Sequence, residues 1–171
     1  MIIRKEEICD FEEIYSLVKI AFENAEHSDG NEHELVNKLR KGKSFIPELS
    51  LVCEIDGEIV GHIMFTKAEI NGNTVLVLAP LSVLPEKQNR GIGLALIKEG
   101  HSIAKKLGYT YSVVVGSEKY YPKAGYLPAI KFGIKASFDV PDENFMAYKI
   151  NKNIKDNVCG TIKYAKEFGI D

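Results

Sequence analysis

The segment Val75–Leu84 is the most apolar run in the chain, interrupted only by Pro80 and Ser82, and a charged turn with two glycines and a long helical pattern follow it. It falls well short of the ~20 residues needed to cross a bilayer. Apolar on both faces, Thr74–Val83 reads as a central strand covered by helices on each side. A strand of that kind cannot stand alone, so the remaining residues must supply sheet partners and helical layers.

They do so in a readable order. Met1–Arg4 reads as a short strand, and Asp10 with Glu13 has capping-box spacing at the start of a helix running to about Ala25. Phe11, Ile14, Leu17, Val18, Ala21 and Phe22 recur at three- and four-residue intervals, which gives that helix one buried face. After the polar stretch Glu26–Asn31, a shorter helix spans Glu32–Leu39 and is ended by Gly42. Leu49–Ile55 and Glu58–Ile70 flank Asp56-Gly57, and Asn71-Gly72-Asn73 repeats the signal, so two hairpins join three antiparallel strands. A helix over Gly91–Leu107, a strand over Tyr109–Val115, a short helical segment over Ser117–Ala124 and a late strand over Phe145–Ile150 complete the order. The fold class is α+β around a mixed, mostly antiparallel sheet. Residues 1–171 are expected to form one domain, with 1–150 as its core and 151–171 as an extension of undefined structure.

At 171 residues, 45% of them hydrophobic, such a chain can bury a self-sufficient core. The formal charge of -2 argues against bulk attraction to nucleic acid or an anionic membrane surface. Cys9, Cys53 and Cys159 are odd in number and far apart, so they suggest neither a disulfide framework nor a metal site. They read as small buried apolar groups in a cytoplasmic protein.

The segment Leu81–Leu96 carries the chemistry. It runs from a buried strand through Pro85-Glu86-Lys87-Gln88-Asn89-Arg90 into a helix whose first residues include Gly91 and Gly93. A helix start leaves backbone N–H groups unpaired and is positive in potential, so it is an anion site. Glycines let a pyrophosphate approach the main chain, and Arg90 adds a charge-assisted contact. The same glycines also suit an ordinary strand-to-helix connection. Neither G-x-x-x-x-G-K-[ST] nor G-x-G-x-x-G occurs, which disfavours the Walker-type and Rossmann sites.

What remains is Q-x-x-G-x-G at Gln88–Gly93, after a strand ending Val83-Leu84-Pro85. In this the chain resembles the GNAT superfamily of acyl-CoA-dependent N-acetyltransferases. Tyr120-Tyr121-Pro122-Lys123-Ala124-Gly125-Tyr126 matches a second family pattern, and the wider phrasing is similar to a bacterial branch of predicted acetyltransferases of unassigned substrate. The resemblance is least detailed in residues 26–48 and after 150.

The resemblance implies an acyl-CoA cleft between two splayed parallel strands, those ending at Val83 and Val115. Acetyl-CoA is then the co-substrate, with no metal. Leu81, Ser82 and Val83 would line the pantetheine, and Gln88, Asn89, Arg90, Gly91, Ile92, Gly93 and Leu94 would hold the pyrophosphate, with Tyr120 nearby. Tyr121 would protonate the leaving thiolate. Many relatives carry a glutamate on the strand before the phosphate turn, but Val75–Pro80 has no carboxylate, which leaves His62, acting through water, as the candidate base. A lone strand histidine is otherwise structural or exposed. The implied activity is acetyl transfer to a small-molecule or protein amine, with no nucleic-acid or membrane partner, as monomer or homodimer. The missing carboxylate also admits a non-catalytic acyl-CoA sensor, and transfer of another acyl group is a third reading. His27 and His33 are expected to face solvent, His101 to lie at the surface or behind the site, and Lys152–Asp156 to be a solvated connection.

Overall fold

The computed structural model describes residues 1–26, 28–153 and 158–170. Strand β1 (Ile2–Lys5) leads through a 3-10 turn into α1 (Phe11–Phe22), and α2 (Glu32–Arg40) follows. Three long strands come next: β2 (Phe45–Ile55), β3 (Glu58–Ile70) and β4 (Asn73–Val83). Both hairpins close with two residues, pairing Ile55 with Glu58 and Ile70 with Asn73. Asp56, Gly57, Asn71 and Gly72 all have positive φ, the backbone that such turns need and that Asn, Asp and Gly tolerate.

Helix α3 (Ile92–Lys106) and strand β5 (Tyr111–Val115) return the chain to the sheet, followed by β6 (Leu127–Pro128), β7 (Ile134–Lys135), β8 (Phe145–Lys149) and β9 (Gly160–Lys163). The strand order is β1-β2-β3-β4-β5-β8-β6, with β9 joining the far end of β3 and β7 pairing with β9. Every pairing on the main path is antiparallel except β4 with β5. The fold expectation holds in class, in order and in its mixed, mostly antiparallel sheet.

The buried apolar side chains form two clusters. The larger spans both faces of the sheet, packing α1 and α2 on one and α3 on the other against β2, β3 and β4, and includes Ile14, Leu39, Ile63, Phe65 and Leu96. The smaller, around Ile70, Val75, Val113, Ile134 and Ile162, is built by the C-terminal strands. Thus part of the 151–171 extension is structured, because β9 covers an end of β3 that β2 leaves bare.

Several local expectations change. The capping box lies one turn earlier: Glu7 N–H donates to Asp10 Oδ2 (2.7 Å), and Asp10 makes no side-chain cap on α1. Arg4 takes that carboxylate in a two-pronged contact, while Glu13 accepts from Ile59 N–H (2.9 Å). Helix α1 stops at Phe22 rather than near Ala25, and β2 starts four residues before Leu49. The helical segment at Ser117 shrinks to a 3-10 turn, Tyr121–Ala124. Cys53 is buried as expected, but Cys9 and Cys159 are exposed. His33 is buried, edge-on to Tyr15 at 4.7 Å, rather than in solvent. His27 and residues 154–157, within the charged run Lys152–Asp156, lie outside the described residues.

Candidate active site

β4 and β5 pair only at Leu76–Ser112 and Val77–Val113, although β4 continues to Val83 and β5 to Val115. Beyond that point β4 keeps β3 on one side and leaves its other edge free. On the β3 side Leu84 N–H donates to Val60 O (2.9 Å), and His62 faces Ser82. Antiparallel pairing alternates, so Leu81 and Val83 turn their N–H and C=O groups toward the free edge. Val83 O is capped there by the Gln88 side-chain amide (3.2 Å). Between Ile63–Leu81 and Phe65–Leu78 the register shifts by one residue, a bulge that bends β4 where the strands part.

The turn after β4 has the geometry of an anion cradle. Asn89 (φ 62°) and Gly91 (φ 82°) are left-handed, and Gly91 is the N-cap of α3. Ala95 N–H donates to Gly91 O (3.0 Å), the first rung of the helix, so the preceding amides of Ile92, Gly93 and Leu94 have no helical acceptor. Gln88, Asn89, Arg90 and Gly91 are exposed, open to a ligand. Gln88 N–H itself is donated to Pro85 O (3.3 Å), so Gln88 contributes its side chain to strand β4 rather than an amide to the cradle. The two glycines serve different needs. Nothing lies near a Cβ placed on Gly91, whose φ alone calls for glycine, whereas a Cβ on Gly93 would overlap the Tyr120 hydroxyl.

Tyr121 lies at the mouth of β5, its ring against Gly116 and edge-on to Tyr120 (5.2 Å) and Tyr126 (5.8 Å). Burial, with Tyr120 beside it, pushes its phenol well above the usual tyrosine range and keeps it protonated at neutral pH. Burial also raises the phenol of Tyr120.

His62 is placed elsewhere. It points to the face of the sheet covered by α1 and α2, fully buried, with Nε2 3.1 Å from Ser50 Oγ and 3.2 Å from Glu6 Oε2. Arg40 grips the same carboxylate through Nε (2.8 Å) and Nη2 (2.9 Å). Burial pulls the imidazole down, while Glu6 pushes the other way. Burial raises the Glu6 carboxyl, but hydrogen bonds from Arg40 and His62 outweigh it and leave Glu6 at about 2. His62 Nδ1 and the facing Ser82 Oγ are buried without partners among the described residues. Helix α3 lies on the opposite face, where Ile92 and Leu96 crowd Gly61. His101 is likewise internal: its Nε2 lies 2.9 Å from Tyr126 Oη, which is 2.8 Å from Ser112 Oγ, and its ring stacks on Tyr148 at 4.1 Å.

Two cavities lie near the site, one at the parted strands and one along α3. One of about 910 Å³ reaches Val77, Leu78, Ala79 and Val115 and is bordered by α2 and the C-terminal segment. The other, about 760 Å³, starts at Leu94 and runs along α3 past Lys98, Lys105, Lys123 and Lys152. No carboxylate is among the described residues that line it. Neither cavity is lined by His62. Sequence reasoning missed both, since their walls come from residues far apart in the chain and no local pattern joins them.

A family model described as the acetyltransferase (GNAT) family matches residues 11–126. The chain is 37% identical over 118 residues to the uncharacterized N-acetyltransferase YjhQ of Escherichia coli K12, a match covering 66% of the chain but 65% of that relative. It is 24% identical to the uncharacterized N-acetyltransferase YhbS over 98% of both chains. The YhbS crystal structure, a complex with CoA, superposes with a TM-score of 0.88 over 98% of this chain and 91% of that one. A GNAT family acetyltransferase from Brucella melitensis, in complex with acetyl-CoA, is 31% identical with a TM-score of 0.80, covering 98% and 97%. With the free edge of β4, the Q-x-x-G-x-G cradle and these matches together, the chain belongs to the GNAT acetyltransferase family.

Proposed function

We propose that this chain moves an acetyl group from acetyl-CoA to a primary amine by direct attack in a ternary complex. The observation that carries the reading is the parting of β4 from β5 after Val77–Val113, with the freed β4 edge running directly into the anion cradle. A pantetheine arm, with its two amides, is a natural partner for an unpaired strand edge. Amides at the start of α3 suit a pyrophosphate. The lysine-lined cavity beginning at Leu94 suits the phosphorylated nucleoside end. The complexes of the two relatives with CoA and acetyl-CoA support the same co-substrate.

In the proposed step the amine lone pair attacks the thioester carbonyl, the C–S bond breaks, and the thiolate takes a proton from Tyr121. A main-chain N–H near Leu81 stabilises the oxyanion, the kind of donor whose loss costs roughly 3–4 kcal/mol in acyl-transfer enzymes. The amine must arrive neutral. The walls beside the parting strands, Val77, Leu78, Ala79 and Val115, are apolar and favour that form. After attack the extra N–H proton passes to water in the cavity, and water returns a proton to Tyr121. This route leaves His62 as a structural group, held by Glu6 and Ser50.

Isothermal calorimetry with CoA and acetyl-CoA, followed by thiol release across an amine panel, tests the reading. Micromolar binding and amine-dependent thiol release are expected. Binding with no release on any amine would favour an acyl-CoA sensor, and absence of binding would overturn the site itself.

A further inference from the structure

Tyr121 sits on a four-residue 3-10 turn, and packing sets where its ring lies. The ring rests against Gly116 and meets Tyr120 and Tyr126 edge-on. These neighbours therefore choose the rotamer that carries the phenol.

The two tyrosine neighbours differ in how firmly they are held. Tyr120 is half-buried and reaches over Gly93 in the cradle. Tyr126 is fully buried and fixed at both ends. Its N–H donates to Tyr121 O (3.3 Å), closing a turn through Gly125, whose φ of 93° reverses the chain so that the two rings meet. Its hydroxyl lies 2.9 Å from His101 Nε2 and 2.8 Å from Ser112 Oγ. A hydroxyl donates one hydrogen bond and accepts others, so it serves both partners at once.

Those partners come from the two elements that frame the site. His101 stands on α3, the helix that opens at the cradle, and Ser112 stands on β5 opposite Leu76, just before the strands part. The imidazole is held in turn by Tyr148 of β8, stacked at 4.1 Å and nearly parallel, and Tyr148 is the register partner of Ser112. Tyr126 and Ser112 line neither cavity, so the network lies behind the site rather than in it. A buried polar network with its members paired fixes one arrangement of the side chains around it.

We infer that His101 and Ser112 are positioning residues: gripping the Tyr126 hydroxyl from α3 and from β5, they fix the Tyr121 ring where the two strands part. The inference rests on the acetyl-transfer reading for what Tyr121 does there, proton donation to the CoA thiolate. The network itself gives and takes no proton. Because His101 and the cradle share α3, one helix sets both the seat of the pyrophosphate and the place of the donor.

The test uses Ser112→Ala, Tyr126→Phe, His101→Leu and His101→Gln, with acetyl-CoA and the panel amine that releases thiol fastest. Ser112→Ala and Tyr126→Phe should lower kcat by about three- to tenfold with KM for acetyl-CoA unchanged, since a misplaced donor loses no more than the donor itself contributes. His101→Gln, which keeps a polar group for Tyr126, should recover most of the kcat that His101→Leu loses. In a Tyr121→Phe background the same substitutions should cost nothing further, because no donor is left to place. Thermal melting sets an assay temperature at which every variant is folded. Losses that multiply with that of Tyr121→Phe, or an unaltered kcat in Ser112→Ala and Tyr126→Phe, overturn the inference and leave acetyl transfer standing.

A second readout needs no turnover. With tyrosine carbon-labelled at Cζ, on the axis about which the ring flips, Tyr121 should give one sharp NMR resonance, assigned by its disappearance in Tyr121→Phe. Ser112→Ala should broaden or split it. If no amine releases thiol, or Tyr121→Phe leaves kcat unchanged, the donor reading fails and this resonance decides alone: broadened or split in Ser112→Ala it upholds the positioning, and a single sharp line there overturns it.

Discussion

The hydroxyl of Tyr120 occupies the space that a side chain at position 93 would fill, so the bare Cα of Gly93 is what lets the tyrosine lie over the first turn of α3. The two signature segments are thereby one physical unit: the glycine of the first seats the tyrosine of the second.

Gly93→Ala tests that unit. Alanine favours a helix by up to ~1 kcal/mol over glycine, but overpacking costs typically 1–3 kcal/mol, so the clash wins. The variant should melt lower and bind acetyl-CoA about tenfold more weakly. Tyr120→Phe removes the overlapping oxygen, and the double variant should recover most of the affinity by calorimetry. A double variant no better than Gly93→Ala would show that Tyr120 is not what the glycine accommodates.

Tyr121→Phe should lower kcat by about tenfold with the acetyl-CoA affinity unchanged. General acids often contribute 10²–10⁴-fold, but a thiol with a pKa near ~8.5 leaves with less help than an amine. Burial holds the phenol above its ordinary range, so kcat should show no loss from Tyr121 deprotonation up to about pH 10. Steady-state kinetics and a pH profile read both effects, and an unchanged kcat would remove the assigned role.

Arg40→Met leaves the Glu6 carboxylate buried without its strongest partner and should cost about 3–5 kcal/mol in urea unfolding at pH 7. The folded carboxyl titrates at about 2, below its ordinary range. Its contribution is thus present above pH ~4.5 and is lost as pH falls toward 2. The gap between wild type and variant should therefore narrow below pH 4.5. A gap independent of pH would assign the loss to packing alone, for the Arg40 guanidinium also lies 3.9 Å over the Phe11 ring.

His101 sets a second acid limb. Burial lowers it from 6.5 to about 4, so between those values the unfolded chain binds a proton that the fold refuses, and stability falls as pH falls. The full effect is on the order of 3 kcal/mol. His101→Gln, which retains a polar group for Tyr126, should flatten the limb in pH-dependent unfolding, leaving the part due to His62, whose pKa is also lowered. An unaltered limb would mean that His101 does not titrate in this window.

The readable parts of the chain were those that act locally. Asp56-Gly57 and Asn71-Gly72 announce their turns because few other residue pairs tolerate positive φ at both positions. The apolar face of α1 follows from helical period, and β6, β7 and β9 were missed because strands of two to four residues show no period. Asp10 was assigned to the wrong cap because Arg4 and Glu7 claim its carboxylate first. In the candidate site the glycine cradle was legible as a continuous motif. The burial of His62 was not, since Glu6 and Ser50 approach it from other strands and loops.

What the amino-acid order determined by itself is therefore the frame: a hairpin meander, a central strand, and a glycine turn opening a helix, all governed by backbone preferences over a few residues. Only the tertiary structure decided which side chains meet. Glu32, Tyr164 and Ala79 share one cavity because α2, the C-terminal segment and β4 converge there, and that convergence follows from core packing. Backbone conformation is a short-range property, legible in a window of neighbours. Recognition is a surface property, assembled from residues whose separation along the chain carries no trace of their nearness in space.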